Sequence, residues 1–137
     1  MYNEIKEYIS DLIDTYNLNT FDKDILEQEN TVSNDITEYY ISNQSVPCLI
    51  VPYNFTLQFK YSIENGKNRE NDFRDAIENL IYSEELGYPT SSGTPTTIDS
   101  ELVYPRILSV EHEWKTNTYV SRIKVVFVHI KYYNRTT

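Results

Sequence analysis

The sequence predicts an α+β fold: a mostly antiparallel β-sheet packed against two helices, with a long C-terminal β-hairpin. Three observations predict it. Apolar residues recur at helical spacing in two windows, near 5–16 and 73–86. Between them, Phe55, Leu57, Phe59, Tyr61 and Ile63 alternate strictly with Thr56, Gln58, Lys60, Ser62 and Glu64, the pattern of a strand with one wet face. After them, two runs rich in β-branched and aromatic residues, 105–115 and 119–133, meet at the polar triplet Thr116-Asn117-Thr118, a hairpin signal.

Each element has its own reason. Ile5, Tyr8, Ile9, Leu12, Ile13 and Tyr16 form one stripe of an amphipathic helix, with Glu4, Lys6, Glu7, Asp11 and Asp14 on the other side. That helix is expected to end near Asn17, where the turn-forming residues Asn17-Leu18-Asn19-Thr20 begin. Residues 19–35 are acidic and polar apart from Phe21, Ile25 and Leu26, so an irregular connection is expected there. Ile36-Thr37-Glu38-Tyr39-Tyr40-Ile41 reads as a strand. Val46-Pro47-Cys48-Leu49-Ile50-Val51-Pro52 is a short apolar run whose prolines cannot donate to a ladder, so they mark strand ends or an edge. The alternating strand follows and stops at Asn65-Gly66. Asn71 or Asp72 can cap a second helix carrying Phe73, Ala76, Ile77, Leu80 and Ile81, with Gly87 as its C-terminal stop. Residues 87–104, rich in Ser, Thr and Pro, then form a loop, and loops this long are usually functional or disordered.

At 137 residues the chain is expected to be a single domain, 1–137, with a core of its own. No run approaches the ~20 apolar residues of a membrane span. The N-terminus lacks the basic-then-apolar pattern of a secretory signal, so a cytoplasmic origin is expected. One cysteine, Cys48, leaves no intramolecular disulfide and no cysteine metal site, and its apolar surroundings suit a small buried hydrophobe. Twenty-one acidic residues against twelve basic give a formal charge of −9, a surface that repels phosphate rather than grips it. This charge fits an ordinary acidic domain, a surface that DNA must pass without sticking, or a mimic of DNA.

Chemistry is expected to be absent: no catalytic, cofactor-binding or metal-ligating residue is assigned. Glu111-His112-Glu113 suggests a metal site only until strand geometry sends neighbouring side chains to opposite faces. A three-residue turn at 116–118 pairs Lys115 with Tyr119 and sets His112 opposite Arg122, leaving His129 opposite Pro105, on the other face and roughly 23 Å away. A two-residue turn puts both histidines on one face, no nearer to one another. Both are read as solvated or partner-facing, and no Ser–His–Asp arrangement is expected. There is no glycine-rich phosphate loop.

The final strand carries the functional expectation. It spans about fifteen residues against the usual ~5–6, and Val125-Val126-Phe127-Val128 is apolar on both faces. Its middle is therefore covered on both sides, either by the two helices together or by helices on one side and a neighbouring copy on the other. Candidate oligomer or partner contacts are Tyr88, Ile98, Trp114, Tyr119, Val126, Val128, Ile130 and Tyr132. Trp114, beside the turn, is either an exposed contact residue or a cap on the core edge.

Taken in order, the helix 2–16, the proline-led strand from Val46, the alternating strand 55–63, the helix 73–86 and the hairpin 107–114 with 119–133 resemble the tail terminator family of long-tailed bacteriophages, lambda-like members included. The resemblance covers nearly the whole chain through its pattern of elements and rests on no signature motif. It implies a non-enzymatic structural protein of the virion, without cofactor, that assembles in the host cytoplasm. Such a protein forms a hexameric ring that caps the tail tube, ends its polymerisation and provides the head-docking surface. The implied partners are copies of itself, the tail tube protein and a head-completion or neck protein, with DNA only passing through the lumen and no membrane involved. The 87–104 loop and the acidic 22–38 segment are then candidates for contact with tube, neighbours or head. This chain departs from the lambda protein in its longer Ser/Thr/Pro loop, which blocks residue-level mapping there. Related folds serve as minor capsid or connector proteins. From a different class, a small acidic DNA-mimic inhibitor of a nucleic-acid-binding enzyme is the competing expectation.

Overall fold

The computed structural model describes residues 1–28, 36–41, 44–63, 68–89 and 93–132, with backbone alone for 36–41, 44–49, 131 and 132. Helix α1 spans Tyr2–Thr15 and buries Ile5, Ile9, Leu12 and Ile13, the expected stripe. It stops where Asn17 turns left-handed at φ 61°, a conformation Asn tolerates better than most residues. Strand β1, Asp22–Gln28, follows where an irregular connection was expected. Its sequence hides it: six of its seven residues are exposed, so no burial alternation marks it as a strand.

Strands β2 (Ile36–Ile41) and β3 (Gln44–Ser62) come next. β3 merges the two strands expected at 46–52 and 55–63 into nineteen residues, roughly 60 Å of extended chain. The prolines do not break it because of where they fall. Pro47 pairs with Glu38 of β2 and lies beyond the reach of the β6 ladder. Pro52 pairs with Val128 and falls in the gap between the β2 and β1 ladders. Among the described residues both occupy stretches of β3 with a strand on one side only, where a missing N–H costs no ladder bond.

Helix α2 (Glu70–Ile81) buries Phe73, Ala76, Ile77, Leu80 and Ile81 but begins before and ends short of the expected 73–86. At its start the Asn68 side chain accepts from the Glu70 N–H at 2.9 Å. At its end the Ser83 hydroxyl donates to the Leu80 carbonyl and accepts from the Leu86 N–H, closing the backbone into turns. Gly87, at φ 69°, ends those turns rather than the helix itself. The long loop is shorter than expected, because strand β4 (Thr96–Ile98) and a two-residue turn at Asp99 and Ser100 lead into β5 from Glu101. The loop is also docked: Gly93 donates to the Pro105 carbonyl and Thr94 to the Glu84 carbonyl, both at 2.9 Å. The Asn65-Gly66 stop lies outside the described residues.

β5 (Glu101–Trp114) and β6 (Thr118–Tyr132) form the expected hairpin. The order is β1-β3-β6-β5-β4, with β2 placed end to end with β1 along β3, and every pairing is antiparallel. Both helices pack on one face. Tyr2 and Tyr8 of α1 meet Phe55 and Phe127, and Phe73 of α2 meets Tyr61 and Tyr119. One cluster of buried side chains joins both helices to Phe55, Leu57, Phe59, Val103, Ile107, Ile123, Val125 and Phe127. The architecture is α+β, as expected.

Candidate assembly surface

Alternation along the strands sends odd-numbered residues of β3 and β6 toward the helices and even-numbered ones outward. Val125 and Phe127 are 1 % and 0 % exposed and belong to the core cluster. Val126 lies between them, outside that cluster though itself only 9 % exposed. Across the outer face it is flanked by Asn54 on β3 and Arg106 on β5, and no described helix lies over it. The helices therefore cover one face of the final strand, not both.

That outer face is divided. Toward the β5–β6 turn it is charged: Asp22 pairs with Lys60, Lys60 with Val120, and Arg122 lies between Gln58 and Glu111. Arg122 donates to Gln58 Oε1 at 3.0 Å and sits 3.9 Å from Glu113. Toward the other end it is apolar: Ile50, Pro52, Val128, Ile130 and Tyr104 are half-buried. Leu26, Leu102 and Leu108 stand 49 %, 46 % and 55 % exposed around this region. Leu108 is the bulge residue of β5, left without a partner between Ile107 and Ser109.

The candidate contacts therefore separate. Val126, Val128 and Ile130 share the outer face, Val126 itself buried at 9 % exposure and the other two half-buried. Ile98 and Tyr119 do not: both are core residues, 7 % and 4 % exposed, and Tyr119 stacks on Tyr61 with centroids 6.0 Å apart. Trp114 is half-buried on the helix side and caps the core edge, with the Arg74 guanidinium 4.5 Å over its ring. Tyr88 is packed against the core beside the exposed Tyr82. The backbone of Tyr132 pairs with Cys48, and its side chain lies outside the described residues, as does that of Cys48. Leu26, Leu102, Tyr104 and Leu108 were missed. Leu102, Tyr104 and Leu108 sit in an apolar run whose facing is set by the bulge, and nothing in the sequence announces a bulge.

The histidines are corrected. The turn has two residues, with Lys115 and Thr118 exchanging backbone hydrogen bonds, so His112 sits opposite Ser121, not Arg122. His129 pairs with Val103, not Pro105, and is fully buried rather than solvated. Both point to the helix side, about 26 Å apart along β6. His129 Nε2 lies 3.0 Å from Glu101 Oε2, and its Nδ1 has no hydrogen-bond partner among the described residues.

Around Ser121 a small network forms at the hairpin tip. Its hydroxyl accepts from Trp114 Nε1–H at 3.2 Å and lies 2.8 Å from His112 Nδ1. The hydroxyl satisfies both neighbours by donating to a neutral His112 protonated at Nε2. Burial holds the His112 imidazole below its usual range, while Glu78 pulls it upward. This serine–histidine pair has the atoms of a nucleophile and base, yet Ser121 is 0 % exposed and its hydroxyl is already engaged. It ties β5 to β6 at the hairpin tip. Among the described residues no three His, Cys, Asp or Glu side chains are grouped to hold a metal, and no helix is long and apolar enough to cross a membrane.

No protein-family model matches this chain, and no curated protein matches it.

Proposed function

We propose that this chain is a self-assembling structural protein of the virion, of the tail terminator kind: a ring that caps the tail tube, ends its growth and provides the docking surface for the head. One observation carries the reading. The outer face of the sheet has an apolar half, around Ile50, Pro52, Tyr104, Val128 and Ile130, that no described helix covers. Contiguous apolar surface of this kind on a small domain marks a contact site. In a ring, DNA in transit would meet an acidic protein, which limits adhesion. A minor capsid or connector role shares this surface and differs only in where the protein sits. The DNA-mimic reading gains no support from the outer face, whose carboxylates alternate with Lys60, Arg122 and Lys124 rather than forming a row.

Light scattering of the purified chain across a hundredfold concentration range, with negative-stain imaging alone and with isolated tail tubes, tests this. Rings in solution, or density closing one end of the tubes, are expected. A strict monomer that leaves tube ends bare would overturn the proposal, and density on heads alone would move the protein to a connector role.

A further inference from the structure

We infer that copies of this chain associate by edge pairing, strand β1 of one against strand β5 of the next, so that the sheet continues across the seam. The inference rests on the assembly reading above and specifies its contact.

Both edges are open among the described residues. β1 pairs with β3 along one side, and no described strand pairs with its other side. β5 pairs with β4 only through Glu101, Leu102 and Val103, and Gly93 takes the Pro105 carbonyl. From Arg106 to Glu113 its outer edge has no strand partner. Open edges of seven or eight residues are templates for another strand.

The two edges are also level. Following the pairs across the sheet, Asp22 lies in the row of Lys60, Val120 and Glu113. Gln28 lies in the row of Asn54, Val126 and Arg106. The whole of β1 therefore stands at the height of the uncovered part of β5. Where β1 stops, β2 takes over its edge, and where the open stretch of β5 stops, β4 covers it.

Strand sense agrees. Three antiparallel steps separate β1 from β5, so they run in opposite directions. A copy rotated about an axis along the strands presents its β1 antiparallel to this β5, the more stable pairing. Different edges meet, so the contact is head-to-tail, and repeating it closes a ring if the rotation permits. It also brings the exposed Leu26 of one copy beside the exposed Leu108 bulge of the next.

Charge disfavours the level register relative to one slipped by two residues. In the level register Asp22 meets Glu113 and Asp24 meets Glu111, and a slip of two residues leaves only Asp22 against Glu111 while placing Leu26 beside Arg106. These carboxylates and the Leu108 bulge guard the edges against indiscriminate pairing.

The test is disulfide trapping in a Cys48→Ser background. Leu26→Cys is combined with Ser109→Cys for the level register, or with Arg106→Cys for the slipped one. Mild oxidation is run in 1 M salt, where the Debye length is ~3 Å. A ladder of covalent multimers from at least one double variant, absent from each single variant, is expected. The unsubstituted chain gives a second readout: amide exchange of β1 and of residues 106–113 should slow at least about tenfold between dilute and assembled samples. Assemblies that give no ladder and leave those amides unprotected overturn edge pairing while the assembly reading stands. A monomer under all conditions overturns both.

Discussion

Phe127 and Val128 are neighbours in sequence, and the structure gives them opposite duties. Phe127 is fully buried, with ring centroids 5.9 Å from Phe55 and 6.1 Å from Tyr8. Truncation to alanine removes the ring from the centre of the core and leaves a cavity, at a cost of about 3–5 kcal/mol. For a chain of 137 residues, at ~2.1 cal/mol/K per residue, the unfolding entropy near the midpoint is about 0.3 kcal/mol/K. Phe127→Ala should therefore lower Tm by roughly 10–17 °C. Val128→Thr changes one methyl group on a half-exposed outer position. In the dilute, isolated chain it should cost under ~1 kcal/mol, or less than ~3 °C, while weakening association at high concentration. Thermal melts and light scattering on the same samples separate the two effects. Equal losses of Tm in dilute solution would refute the division of the sheet into a core face and a contact face.

Three further outcomes follow from the hairpin tip and the docked loop. Ser121→Ala strips a partner from both Trp114 Nε1–H and His112, so it should destabilise by about 1–3 kcal/mol. It should also shift the emission of the only tryptophan in the chain. His112 gives stability a pH dependence of definite sign: its folded-state pKa is lowered, so below the unfolded value of ~6.5 the unfolded chain takes up the proton first. This contribution is intact above about pH 7 and is lost as pH falls through the folded pKa, so the urea midpoint should drop toward pH 5.5 less steeply in His112→Gln. Gly93→Ala would place a Cβ 1.8 Å from the Glu85 carbonyl oxygen. Backbone cannot yield there, so a cost of at least ~1–3 kcal/mol is expected in urea melts, with faster exchange at the Gly93 amide.

The sequence was legible wherever one face of an element is buried against the core. The α1 stripe, the apolar positions of α2, the alternation of Phe55, Leu57 and Phe59, and the hairpin all follow from periodicity, because the hydrophobic effect acts on every residue of a buried face. Strand β1 was not legible, because an edge strand exposed along its length has no buried face to leave a pattern. The merging of two strands into β3 was hidden by Pro47 and Pro52, whose tolerance depends on which described strand lies beside β3 at each point. The facing of the candidate contacts was half legible. Val126, Val128 and Ile130 follow from alternation in β6, whereas Ile98 and Tyr119 have the same composition and lie inside.

The amino-acid order by itself determined the α+β class, the two helical stripes, the period of the strands and the acidic surface, since each is a property of neighbours along the chain. Only the tertiary structure decided which face the helices cover, which rows align, and that β1 and β5 stand at the same height with no strand on their outer edges among the described residues. Those are relations between residues up to about ninety positions apart. They are set by turn length, by one bulge at Leu108 and by strand order, where a single-residue change of register sends every following side chain to the opposite face.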